Sequence, residues 1–177
     1  MDQNIENRIL EVKDLNVRFY SEEGTGKVLN GIDMEIYKGK PIGVVGESGC
    51  GKSVTSFSIL RVLPPSGKIT SGEINFTTRK GDIIDLTGLK PNGKEIRKYR
   101  GADISMIFQE PMTSFSPVHT FENQITEAIL LHQDISRTKA REQAIELLDQ
   151  VGISNPVQRV DEYPFQFSGG MRQRAMI

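Results

Sequence analysis

The sequence predicts an α/β fold: a sheet crossed by a helix and carrying a helical insertion. Three observations lead there. Up to residue 108, apolar residues alternate or run together in short stretches. A glycine-rich loop stands between one such stretch and a helical pattern. Beyond residue 120 only helical periodicities occur.

The elements follow in order. Residues 9–19 alternate loosely (Leu10, Val12, Leu15, Val17, Phe19) and read as one strand or two. Residues 21–27, with two glycines and two glutamates, read as a turn. Residues 32–37 (IDMEIY) alternate as a half-buried strand does, and Lys38-Gly39-Lys40 turns the chain. Residues 41–45 (PIGVV) are nearly all apolar, the pattern of a short strand buried on both faces. A helix is expected over 51–63, ended by Pro64-Pro65. Residues 72–77 (GEINFT) and 82–86 (DIIDL) form a hairpin pair across a turn holding Arg79, Lys80 and Gly81. Residues 92–99 suit a short polar helix, 104–108 (ISMIF) a second buried strand, and 111–117 irregular chain. A helix is expected over 121–132, with Ile125, Ala128, Ile129 and Leu131 roughly on one side. The cleanest helix is 136–151, where Ala140, Ala144, Leu147, Leu148 and Val151 make one apolar stripe. Ser136 is its N-cap and Gly152 its stop. A last helix begins near Ser168.

The composition excludes several classes. The 177 residues are 37% hydrophobic and 25% charged, which supports one ordinary core. The net charge of -1 carries no basic excess, so no nucleic-acid partner is expected. No apolar run approaches the roughly 20 residues of a bilayer span, and residues 1–7 are too polar and acidic for a secretory signal. The single cysteine, Cys50, rules out an internal disulfide framework and suits a reducing cytosol. His119 and His132 lack partners at metal-ligand spacing; the first reads as part of a loop, the second as a helix end.

Gly46-Glu47-Ser48-Gly49-Cys50-Gly51-Lys52-Ser53 fits the phosphate-loop pattern G-x-x-x-x-G-K-[ST]. The glycines let successive backbone N–H groups point at one centre, where a polyphosphate sits. The helix that begins there adds its positive end. Lys52 supplies a charge for β and γ phosphates, and the Ser53 hydroxyl is placed to hold Mg²⁺. Val54 belongs to the same first turn. Cys50 reads as a small residue at a tolerant position, although a thiol at a helix start can be reactive. A second glycine motif, Phe167-Ser168-Gly169-Gly170-Met171-Arg172-Gln173-Arg174, again offers a hydroxyl, bare amides and a helix N-terminus to an anion.

The two motifs together resemble the ABC ATPase family, whose phosphate loop is followed by a Leu-Ser-Gly-Gly-Gln signature. Here Phe167 stands for the Leu and Met171 for the Gln, while Ser168-Gly169-Gly170 match. The resemblance implies a P-loop NTPase core with an antiparallel β subdomain and a helical insertion. It divides the chain into a nucleotide-binding core (1–110), a helical subdomain (111–167) and the start of the signature helix (168–177). It implies ATP and Mg²⁺ as cofactors and a second such subunit packed head to tail. Ser168, Gly169 and Gly170 would then touch nucleotide held by the partner. Phe108-Gln109-Glu110-Pro111 is similar to the family's glutamine loop, which makes Gln109 a sensor of Mg²⁺ and the γ-phosphate beside the membrane subunit. The aromatic upstream of the phosphate loop implies adenine stacking by Phe19, with Tyr20 as rival.

Residues 109–120 (QEPMTSFSPVHT), 163–174 (YPFQFSGGMRQR) and the spacer 81–101 resemble the branch that imports oligopeptides and dipeptides and also holds nickel and glutathione importers. That implies membrane permease subunits, an extracytoplasmic substrate-binding protein, and a place on the cytoplasmic face of the membrane. The family's Asp-Glu strand and switch histidine follow the signature, and the sequence stops at Ile177 before them. The expectation is therefore a C-terminally incomplete cassette with negligible hydrolysis alone and with unpaired strand edges. A soluble ABC ATPase outside transport, or a non-catalytic nucleotide-binding fragment, are the alternatives.

Overall fold

The computed structural model describes residues 7–108 and 115–177. The chain divides into two compact units, Met1–Ser105 and Met106–Ile177.

The first unit is built on two long strands, β1 (Arg8–Ser21) and β2 (Gly24–Tyr37), joined by the Glu22-Glu23 turn. The turn is shorter than the expected 21–27, because Thr25 and Lys27 already pair with Tyr20 and Arg18. β3 (Gly67–Thr77) adds to the other edge of β1, and β4 (Ile83–Asp85) follows it. The sheet is antiparallel with order β2-β1-β3-β4. The hairpin read at 72–86 is therefore present, its turn carried by Gly81. Leu15, Val17, Ile74, Leu86 and Ile96 are buried together on one face. Ile96 comes from α2 (Lys94–Tyr99), the expected short polar helix.

A bulge in β1 sets the strand's bend. Asp14 takes a left-handed backbone, and pairing slips a residue on both of its neighbours. Asn16 pins the bulge, its Nδ2 donating to Asp14 O at 2.6 Å and its Oδ1 accepting from Gly31 N at 3.0 Å. Opposite lies Gly72 at φ +96°, where any side chain would run into the Asp14 carbonyl.

Two expected strands are corrected. Residues 41–45 and 104–108 form no strand, and Ile42, Val44, Val45, Ile107 and Phe108 are exposed. An apolar run records which side chains suit burial; a strand also needs a neighbour to take its backbone groups. Among the described residues the sheet's pairings are β2-β1, β1-β3 and β3-β4, and neither segment takes part in them. The phosphate-loop helix is also shorter than expected. α1 (Lys52–Ile59) stops before the prolines, with Leu60 as C-cap and Arg61 in a left-handed turn. Thr55, Ser56 and Ser58 each donate a side-chain hydroxyl to the carbonyl four residues back, which weakens a helix interior.

The second unit is helical. α3 (Phe121–His132) has the expected bounds and α4 (Arg137–Gln150) lies one residue inside them at each end, with Thr120 and Ser136 as N-caps accepting from Asn123 N and Lys139 N. The Phe121 and Glu122 amides are taken by the carbonyls of Glu162 and Val160 at 3.0 and 2.7 Å. Phe121, Ala140, Ala144, Leu148, Ile153, Val160 and Phe167 make the core. Ala128, Leu131 and Leu147, read as part of the apolar faces, are exposed instead. The periodicity gives the helix face only to within about a residue, and here Phe121, Ile125 and Ile129 set it. α5 (Pro156–Arg159) and a 3₁₀ turn (Pro164–Gln166) lead to α6 (Gly169–Met176).

Burial separates two apolar positions sharply. Ile74 is 0% exposed and Val45 is 92% exposed. Ile74→Ala should lower unfolding stability by about 3 kcal/mol, while Val45→Ala should change it by less than about 0.5 kcal/mol. Urea midpoints of the two variants, read by circular dichroism, check the contrast.

Candidate nucleotide-binding site

After β2 the chain turns at Lys38–Lys40, with Lys40 N bonded to Tyr37 O at 3.1 Å, and continues without regular secondary structure to the loop. Within the loop Cys50 N reaches Glu47 O at 3.4 Å. Gly51 is the N-cap of α1 at φ +99°. A Cβ there would lie 2.6 Å from Leu29 Cδ2 on β2, so glycine is demanded by both conformation and contact. Leu29, buried beneath the loop, is a supporting residue that the sequence did not single out.

The helix start then supplies donors. The first i-4 bond of this turn is Thr55 N to Gly51 O at 2.9 Å, so the Lys52, Ser53 and Val54 amides precede it. Lys52 Nζ donates to Gly46 O and Glu47 O, both at 2.7 Å, and lies 3.5 Å from Cys50 Sγ. The ammonium thus sits inside the curve of its own loop. Gly46, Glu47, Ser48, Gly49 and Cys50 are exposed around it, as is Ser53. Val54 packs on the sheet's core, so its side chain anchors the helix while its amide precedes the first helical bond. Hydroxyl and phosphate oxygens are hard ligands of the kind Mg²⁺ prefers, and exposed Ser53 fits that donor set.

In the helical unit Ser168 caps α6, its Oγ accepting from Met171 N at 3.3 Å. Gly169 and Gly170 are exposed, with nothing within 4 Å of where a Cβ would stand. Phe167 fixes this end of the helix, its ring centroid 4.0 Å from that of Phe121. The arginines after the glycines clamp the helix to its surroundings. Arg172 Nη1 donates to Pro164 O at 3.3 Å, and Arg174 Nη1 to Gly152 O at 2.5 Å.

Phe19 is half-buried, packs against the sheet's core and lies across Gly67. Tyr20 is 44% exposed, with Lys68 Nζ 5.4 Å from its ring centroid. Gln109 lies outside the described residues. His119 belongs to a loop tied down by Gln124, whose Nε2 donates to His119 O at 2.9 Å. The one adjacent Asp-Glu pair in the sequence, Asp161-Glu162, is engaged elsewhere. Arg141 holds Asp161 at 2.6 and 2.8 Å and keeps its carboxyl below the usual range; Arg159 holds Glu162 at 2.8 Å. Among the described residues no three His, Cys, Asp or Glu side chains gather as a metal site, and no helix is long and apolar enough to cross a membrane.

The chain is similar to known proteins. The ABC transporter profile matches residues 29–177. The dipeptide transport ATP-binding protein DppD of Bacillus subtilis is 47% identical over 96% of the chain. The oligopeptide transport ATP-binding protein OppD of the same organism is 44% identical over 96%. The chain spans about half the length of these relatives, 49% and 46%. The fold matches the ATP-binding cassette MJ0796, solved as a dimer bound to ADP and Pi, with TM-score 0.79 at 23% identity, covering 95% of this chain and 67% of that one.

Three variants in the two glycine motifs test the local geometry. Gly51→Ala should lower stability by about 2 kcal/mol, through the left-handed backbone and the Leu29 contact. Ser168→Ala should cost about 1 kcal/mol and Ser168→Gly only a few tenths. Chemical denaturation of the three variants reads both effects.

Proposed function

Because the chain belongs to the ABC transporter family, we propose that it is the phosphate-binding part of an ATP-hydrolysing subunit that energises peptide import. The observation that carries this reading is Lys52, held inside the curve of its loop at the start of a helix. Peptide as cargo is supported by the dipeptide and oligopeptide transport relatives.

Each residue has a role in this proposal. The amides of residues 46–54 receive the β- and γ-phosphate oxygens, and Lys52 turns part of its ammonium from the loop carbonyls to the same oxygens. Ser53 and Gln109 hold Mg²⁺, which neutralises the polyphosphate charge when bound. Phe19 stacks on adenine, with Tyr20 as the other candidate. In hydrolysis a water oxygen bonds to the γ-phosphorus as the bond to the β-γ bridging oxygen breaks. The residues named here position that phosphate and stabilise charge on its oxygens and on the leaving ADP.

A second cassette subunit completes the arrangement. Ser168, Gly169 and Gly170 cap the nucleotide on the partner's phosphate loop, and the solved cassette dimer supports pairing of this kind. The whole protein works peripherally, at the cytoplasmic face of the membrane, against permease subunits fed by a substrate-binding protein.

Lys52→Ala should weaken MgATP binding at least about tenfold, the effect of losing one charged hydrogen-bond donor. Lys38→Ala, in the exposed turn before the loop, should leave it within about twofold. Equilibrium titration with a fluorescent ATP analogue gives both numbers, and equal affinities in the two variants would refute the assignment.

A further inference from the structure

We propose that the pocket behind the C-terminal end of α1 binds a phosphate-bearing anion, separately from the phosphate loop. The pocket is about 630 Å³ and is lined by Arg61, Lys68 and Arg100, with apolar walls that include Pro65, Ile69 and Pro91. No Asp or Glu lines it. Three cations therefore share one cavity in a protein whose net charge is -1.

Arg61 occupies a position that favours glycine. It follows the C-cap of α1 at φ 55°. Arg61 N bonds to Ser58 O at 3.0 Å and Val62 N to Phe57 O at 2.9 Å, the two bonds that close a helix through a left-handed residue. Glycine would adopt this backbone without the strain that an arginine carries. The side chain returns little of that cost within the fold. Its Nη2 makes a long bond of 3.3 Å to Leu89 O, and its Nε is buried with no hydrogen-bond partner among the described residues.

Arg100 frames the other side. Its Nε donates to Leu60 O at 2.6 Å, and its Nη2 to Arg61 O at 2.7 Å and Pro91 O at 2.8 Å. These bonds tie the helix end to the 91–100 segment and hold the guanidinium in place. None of Arg61, Lys68 and Arg100 is ion-paired with a described residue. Asp85 is the carboxylate whose field reaches Arg61. Its oxygens already accept from Ile74 N, Thr87 N and the Thr87 hydroxyl. Burial weakens the proton affinity of both guanidiniums, and the charges of Arg97 and Arg61 add to this at Arg100. Both groups stay charged in neutral water.

A bound dianion would supply what the cavity lacks. It would accept from the Arg61 guanidinium, offset the repulsion between the two arginines and draw in Lys68, which now rests over Tyr20. A tetrahedral phosphate matches guanidinium donors in both shape and charge. The proline-bordered walls leave room for the small organic body that carries it.

The test is calorimetric titration with inorganic pyrophosphate at low salt, in the Lys52→Ala protein so that the phosphate loop contributes least. One site should appear. Arg61→Gly and Lys68→Gln should each weaken it roughly tenfold or more. Arg61→Gly also relieves the left-handed strain, so its unfolding midpoint should hold or rise while anion affinity falls; a purely structural arginine would give a lower midpoint. Absence of a site in the Lys52→Ala protein, or unchanged affinity in both pocket variants, would overturn the proposal.

Discussion

The reversal of the chain at Gly51 is the constraint on which the rest depends. At φ +99°, and with Leu29 pressed beneath it, this residue joins the loop's last turn directly to the first turn of α1. That turn brings the Lys52, Ser53 and Val54 amides to the loop side, and lets the Lys52 ammonium close on the Gly46 and Glu47 carbonyls. The loop's curve is therefore set by backbone geometry at Gly51.

The sheet supplies the floor. β1 and β2 bury Leu15, Val17 and Leu29, and the Asp14 bulge, pinned by Asn16 and Gly72, bends the strands over that core. Val54 and Ile59 fasten α1 to the same cluster. At its far end α1 is closed by Arg61 and held by Arg100. The short helix is thus fixed at both ends by contacts outside itself, which compensates for an interior weakened by hydroxyls bonded to their own backbone.

Much of this was legible in the sequence, and the failures have physical causes. The helix starts after the glycine loop and near Ser168 were readable because glycine and serine there mark where a helix begins. α3 and α4 fall within a residue of their expected bounds because capping residues mark them. The segments 41–45 and 104–108 were misjudged because apolarity shows what a strand would bury and says nothing of which strand pairs with it. Leu131 and Leu147 were misjudged because a helical stripe is broader than the face that packs. α5 and the 3₁₀ turn at 164–166 are too short to show a period. The Arg61–Arg100 contact joins residues far apart in the chain, and no local pattern announces it.

The most direct measurement is the response of individual backbone amides to MgATP by heteronuclear NMR. The largest shifts should fall on residues 46–54, including Gly49, Gly51 and Ser53, with the Lys52 side chain moving away from the Gly46 and Glu47 carbonyls. Shifts that leave these amides unmoved, while nucleotide binds elsewhere on the chain, would contradict the account.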